Sequence, residues 1–133
     1  MPEFEVKTRK PEEIIDITQQ VSSAVSSSKL DGGICLVYVP HTSAAVIINE
    51  GWDPGIKDDL LLSLSRIVPK NAGYKHDSVD GNADAHIKAA MLGPSEMLTF
   101  REGKLVLGRW QAILLCEFDG PRSRKVLVEL IGR

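Results

Sequence analysis

Histidine and cysteine are scarce in this chain: 133 residues hold three of the first and two of the second. Two cysteines, Cys35 and Cys116, both inside apolar runs, cannot make a disulfide-dense scaffold. Charge of one sign is also lacking. Sixteen basic against 18 acidic residues leave a formal charge of -2, which argues against a nucleic-acid or membrane-surface partner. No stretch approaches the roughly 20 apolar residues needed to cross a bilayer. The first residues, MPEFEVKTRKPEE, carry no apolar run behind their charges, so no secretory signal is expected and a reduced, cytoplasmic protein is the simplest reading. What is present, 43% hydrophobic and 26% charged residues, suits one globular domain over 1–133.

The pattern along the chain is mostly strand-like. Phe4 to Thr8 alternates, and Glu13 to Thr18 places Ile15 and Ile17 on one face. Thr18 has the chemistry of a helix N-cap, with Val21, Ala24, Val25 and Ser28 at helical spacing behind it. Asp31-Gly32-Gly33 is a turn. Ile34 to Val39 and Ala44 to Ile48 are apolar throughout and read as buried strands, split at Pro40. Asp53-Pro54 opens a helix that carries Ile56, Leu60, Leu61, Leu64, Ile67 and Val68 and stops at Pro69. A loop, Lys70 to Gly81, leads to Asn82 as cap of a helix from Ala83 to Leu92, closed by Gly93-Pro94. Met97 to Phe100 and Leu105 to Leu107 flank a turn at Glu102-Gly103; Trp110 to Phe118 and Lys125 to Ile131 flank Asp119-Gly120-Pro121. The expected fold is α+β: one mixed, mainly antiparallel sheet with helices packed on one side.

Groups able to do chemistry fall in three polar islands. YKHDSVDGNADAH holds His76 and His86, PHTSAAVIINE holds His41, and WQAILLCEFDGPRSRK follows near the C-terminus. A single histidine is more often a surface or satisfied core residue, yet all three lie beside breaks between regular elements, where sites are commonly built. Three converging imidazoles would make an open metal centre, although the spacing is no ligand signature. Asp84, two residues before His86, cannot face it on a helix; it is placed to stabilise the helix start or orient a bound group. In an extended 110–119 segment, Trp110, Ala112, Leu114, Cys116 and Phe118 share one face, and Gln111, Ile113, Leu115, Glu117 and Asp119 the other. Glu117 is thus a candidate ligand or general base, and Gln111 a candidate substrate contact, against the alternative of solvent exposure at strand ends. Arg122, Arg124 and Lys125 are either a solvated turn or a phosphate anchor, and the backbone from Gly81 to Asp84, with Asn82 at its centre, is a second candidate anion cradle. Cys116 shares its face with large apolar groups and is expected buried and inert.

At these islands the sequence resembles the YjbQ-like family. The stretches that carry the resemblance are PHTSAAVIINE, the helix opened by Asp53-Pro54, NAGYKHD, GNADAHIKAAMLGPS, LGRWQAILLCEFDGPR and VLVEL, from about Ile14 to the C-terminus. Arg109 departs from the pattern, where threonine is expected, as does Phe100, where an aliphatic residue is expected; Arg109 is expected at the pocket rim. The resemblance implies an α+β homotrimer with a site near a subunit boundary, lined by His41, His76 and His86; release of pyrophosphate there would call for a divalent ion, magnesium or zinc. It also implies a small phosphorylated metabolite as partner, since some members look like auxiliary thiamine-phosphate synthases. Two other functions stay open at this point: a metal-assisted hydrolase with Glu117 as base, and a trimeric protein that binds such a metabolite without turnover.

Overall fold

A computed structural model describes residues 2–133. The strands are β1 (Glu3–Lys7), β2 (Glu13–Asp16), β3 (Gly33–Tyr38), β4 (Ala44–Glu50), β5 (Ser95–Arg101), β6 (Lys104–Leu105), β7 (Gln111–Glu117) and β8 (Ser123–Gly132). The helices are α1 (Thr18–Ser27), α2 (Pro54–Ile67) and α3 (Ala83–Leu92), with a 3-10 turn at Lys75–Ser78 inside the expected loop. No helix among them is long and apolar enough to cross a membrane.

The strands make two sheets where one was expected. Five run in the order β1-β8-β3-β5-β6 and three in the order β2-β7-β4. Every pairing is antiparallel, so the mixed sheet is corrected to two purely antiparallel ones. Alternation along β7 is what allows the second layer. Ile113 and Leu115 point into a core shared with Val37, Phe100, Val126 and Val128 of the larger sheet. Ala112, Leu114 and Cys116 point the other way, onto Leu64 of α2 and Ala85 and Ala89 of α3. Both faces of β7 are therefore apolar.

The helices divide accordingly. Only α2 and α3 cover the outer face of the smaller sheet; α1 belongs to the inter-sheet core, through Val21 and Val25, with Ile17 just before it. Thr18 is the first residue of α1, not its cap, and its hydroxyl instead accepts from the Ile113 amide at 2.9 Å. Asp53 does cap α2, accepting from the Gly55 amide at 2.9 Å, with Pro54 behind it. The Glu102-Gly103 hairpin forms with both residues at positive φ, 53° and 71°, the requirement of a tight two-residue turn. The strand after it is shorter than expected, because Val106 and Leu107 lie outside β6.

Cys35 and Cys116 are fully buried, and burial pushes their thiols up to about 11 and about 12. Neither is present as thiolate near neutral pH. Iodoacetamide at pH 8 is expected to leave both unlabelled in native protein and to label both after denaturation, as read by intact mass.

Candidate functional site

The site begins where β3 gives way to β4. Pro40 cannot continue the ladder, and the next three residues, His41, Thr42 and Ser43, turn the chain before Ala44. This loop is held from two directions. The Lys125 amide of β8 donates to His41 Nε2 at 2.8 Å, and the Phe118 amide donates to the Ser43 carbonyl at 3.1 Å. Nε2 of His41 is therefore an acceptor, so in the neutral ring the proton sits on Nδ1.

The first turn of α3 meets this loop. His86 Nδ1 lies 3.0 Å from the Thr42 carbonyl. A carbonyl can only accept, so Nδ1 carries the proton and Nε2 the lone pair. The 3-10 turn brings His76 over the same helix end. Its ring stands edge-on to that of His86, with centroids 4.9 Å apart and planes at 85°. His76 Nε2 is 3.8 Å from Asp80. Asp77, one residue on, accepts from the Ala83 amide at 3.0 Å and so caps α3, leaving the Asn82 side chain free to donate to Asp119 at 2.9 Å.

Two cavities flank His86. One of about 520 Å³ is lined by Thr42, Tyr74, Lys75, His76, Ala83, His86 and Ile87. The other, of about 290 Å³, is lined by His41, Thr42, Ala44, His86, Ala89, Ala90 and Pro94. The larger has Lys75, two imidazoles and the positive end of α3; the smaller is walled by alanines and Pro94, with one histidine at each side.

The third island behaves differently from its expected roles. Glu117 is wholly buried, and its carboxylate is bound by Arg124. Arg124 Nε donates to one oxygen at 2.8 Å, Thr8 Oγ1 donates to the same oxygen at 2.8 Å, and the Asp119 amide donates to the other at 3.0 Å. Nη2 of Arg124 also reaches Ser43, at 2.8 Å to the hydroxyl and 3.2 Å to the carbonyl. Glu117 thus has no free lone pair aimed at a cavity, and Arg124 is not an open phosphate anchor. Arg122 is exposed and holds the Asp119 carbonyl at 2.7 Å and carboxylate at 2.9 Å. Asp84 is buried against Lys88 at 3.1 Å, and Lys88 in turn binds Glu12 at 2.7 Å.

Gln111 is not brought to the histidines. It opens β7 opposite Glu50, while Glu117 ends β7 opposite Ala44; six residues of extended chain separate them by about 20 Å. The Gln111 side chain accepts from the Gly108 amide at 2.8 Å. Arg109 lies at that same far end, its guanidinium 4.8 Å from the Trp110 ring, so within the chain it is no part of the cavity rim.

Burial favours the neutral form of Glu117, but Arg124, the Asp119 amide and Thr8 outweigh it and hold the carboxyl below its usual range. Asp119 follows the same pattern, burial being outweighed by Asn82 and Arg122. Burial, then the Arg124 charge, lowers His41. These groups are therefore an ionised carboxylate pair and a neutral imidazole around neutral pH.

The three-histidine metal centre is not assembled. Among the described residues no group of three or more His, Cys, Asp or Glu could hold a metal ion. The reason is local: His41 Nε2 is taken by the Lys125 amide, whereas the bond from His86 Nδ1 to Thr42 leaves its Nε2 open. With His41 spent in this way, the three imidazoles together do not fit one shared divalent ion.

Sequence reasoning passed over Thr42, Tyr74, Lys75 and Ile87 in the larger cavity. Tyr74 and Lys75 stand directly before His76 in the densest polar island, which was the available signal. Thr42 contributes a carbonyl, for which side-chain chemistry offers no cue.

The architecture is that of a small α+β protein with two antiparallel sheets and a histidine-lined cavity at one helix start. The YjbQ-like UPF0047 family matches residues 2–133, and the chain belongs to it. A UPF0047 protein of Archaeoglobus fulgidus is 50% identical over 129 residues, covering 97% of this chain and 99% of that one. The YugU protein of Bacillus subtilis is 37% identical over 132 residues, covering 97% of each. Among solved structures, a yjbq/UPF0047 protein of Clostridium acetobutylicum is 45% identical with TM-score 0.95, covering 98% of this chain and all of that one. A YbjQ-like protein of unknown function from Sulfolobus solfataricus is 40% identical with TM-score 0.96, covering 99% and 96%.

Glu117→Gln leaves the Arg124 charge buried without its partner, at a cost of about 3–5 kcal/mol at neutral pH. The pH dependence follows from the lowered pKa. Below the ordinary glutamate value of 4.5 the unfolded chain takes up the proton before the folded one does, so stability falls as pH falls through that window. Urea unfolding from pH 7 to pH 3 is expected to show a steep acid loss in wild type and a shallower one in Glu117→Gln.

Proposed function

We propose that the chain is a transferase of the thiamine-phosphate synthase type, joining a pyrimidine diphosphate to a thiazole phosphate. The observation that carries this reading is that His86 is the common wall of two adjacent cavities. A two-substrate transfer needs two compartments meeting at one proton-exchanging group, whereas a hydrolase or a simple binder needs one. The larger cavity suits the diphosphate: Lys75 supplies positive charge, with the rings of His76 and His86 beside it. The smaller, apolar cavity suits the ring of the second substrate.

In this reaction the thiazole nitrogen lone pair forms the new N–C bond as the C–O bond breaks, and that electron pair leaves with pyrophosphate. His86, protonated at Nε2, hands its proton to the leaving group. Nδ1 keeps its proton and donates it to the Thr42 carbonyl in both charge states. Proton transfer of this kind contributes roughly 10²–10⁴-fold.

Assembly as a homotrimer is part of the same reading. The outer face of the five-stranded sheet has no helix over it. There Ile34 stands opposite Ile131, Leu36 opposite Met97 and Tyr38 opposite Leu127, with Met97 and Ile131 each 64% exposed. Such a contiguous apolar face suits contact with further copies of the chain. Sedimentation equilibrium at micromolar protein is expected to give the mass of three chains; a monomer mass overturns this assembly.

The activity test measures pyrophosphate release with both substrates, with each alone, and with and without chelator. Release is expected only with both. His86→Ala should lower kcat at least about 100-fold while its melting temperature stays near wild type. Release from the diphosphate alone would identify a hydrolase, and thermal stabilisation by either compound without turnover would identify a binder; each result overturns the transferase reading.

A further inference from the structure

We infer that Arg124 is a positioning residue for His86, acting through the Ser43 and Thr42 backbone to keep Nε2 as the nitrogen that exchanges protons. The inference rests on the reading of His86 as the proton-transfer group and adds the element that sets its tautomer.

The argument follows the hydrogen bonds outward from the ring. His86 donates Nδ1–H to the Thr42 carbonyl at 3.0 Å, and Nε2 has no partner among the described residues. Which nitrogen is free thus depends on where that carbonyl sits. Thr42 is itself exposed, and its position is fixed by its neighbours. On one side His41 is tied to the Lys125 amide. On the other, Ser43 is buried and gripped twice by Arg124 Nη2. Arg124 can grip Ser43 because Glu117 fixes its guanidinium through two further bonds. A guanidinium presents its donors in a rigid planar fork, so one side chain spans the carboxylate and the loop together. Without the fork, Ser43 keeps only the Phe118 amide on its carbonyl, its hydroxyl is released, the 41–43 turn relaxes, and the Thr42 carbonyl drifts from Nδ1. A neutral imidazole with no acceptor at Nδ1 is free to place its proton on Nε2.

Arg124→Lys separates this role from simple structural support. Lysine keeps a charge opposite Glu117 but, as a compact point charge, cannot span both partners. Ser43→Ala is the milder companion, since it removes one of the two Ser43 contacts and leaves the Glu117–Arg124 pair whole. Long-range ¹H–¹⁵N correlation spectra of unliganded protein report which ring nitrogen of His86 is protonated. Wild type is expected to show only the Nδ1–H form. Arg124→Lys should show a substantial Nε2–H population, and Ser43→Ala a smaller but detectable one, with amide spectra that remain dispersed. If Arg124→Lys does not fold, Ser43→Ala decides. An Nε2–H form in wild type, or an unchanged Nδ1–H form in a folded variant, overturns the inference. Because the tautomer is read without turnover, failure of the synthase assay leaves this result standing, and failure here leaves that assay standing.

Discussion

A carboxylate and a guanidinium shut away from water, Glu117 and Arg124, hold the two sheets together at one end. Glu117 ends β7 of the smaller sheet and Arg124 is the second residue of β8 of the larger. Their pair is completed by Thr8, from the link between β1 and β2, and by the Asp119 amide of the following turn. Taking both charges out of water costs several kcal/mol each, and their attraction does little more than repay it. Apolar groups of the same volume would hold the sheets about as well. What they would lack is direction. Four donors converge on one carboxylate, and the guanidinium has a remaining arm that can end only on an acceptor placed in its plane. Gly120 shows how tightly this knot is drawn: a Cβ there would stand 2.9 Å from both Glu117 Cγ and Thr8 Oγ1 and 2.3 Å from the Lys10 carbonyl, closer than real side chains come.

A second buried charge cluster sets the other half of the site. Asp84 and Lys88 are one turn apart on α3, and Lys88 reaches across to Glu12. They lie on the inward face of the helix. His86, two positions from each, is turned about 200° away from both, which is what directs it toward the loop at Thr42. The helix is anchored by its charges on one side and presents its imidazole on the other. His76 needs no such anchor, because it rides on a short 3-10 turn whose Asp77 caps the same helix. Two independent ion-pair clusters, one in the sheets and one under α3, therefore fix the two sides of a single hydrogen bond between His86 and Thr42.

The strand faces were legible because alternation is a local property. Ala112, Leu114 and Cys116 part from Ile113, Leu115 and Glu117 whatever the sheet does, and both sets proved to be covered. The number of sheets was not legible, because a strand apolar on both faces fits the middle of a parallel sheet and the middle layer of a sandwich equally well. The start of α2 was legible from Asp53-Pro54, whose cap chemistry lies within three residues. The cap of α3 was not, since Asp77 acts across six residues and releases Asn82 for Asp119. Glu117 and Gln111 were grouped by sharing a face, which periodicity reports, while the 20 Å between them comes from strand length, which periodicity ignores. The Lys88 pair was not legible either; nothing local reveals that Glu12, 76 positions earlier, meets it.

The histidines came together without becoming equivalent, and the reason lies in what each ring nitrogen already does. A metal shared by all three would have to win His41 Nε2 from the Lys125 amide, leaving a β8 donor without its partner at about 0.5–1.5 kcal/mol. It would gain a ligand that burial and the Arg124 charge keep neutral, but at the expense of the bond that seats the loop. His41 is thus best understood as an acceptor that completes β8. His86 is a donor that completes the loop, with its second nitrogen left over. That leftover nitrogen, with His76 beside it, has no partner among the described residues. Two of the three histidines hold the loop, His41 as acceptor and His86 as donor, and the division is made by backbone amides and carbonyls rather than by the spacing of the histidines in sequence.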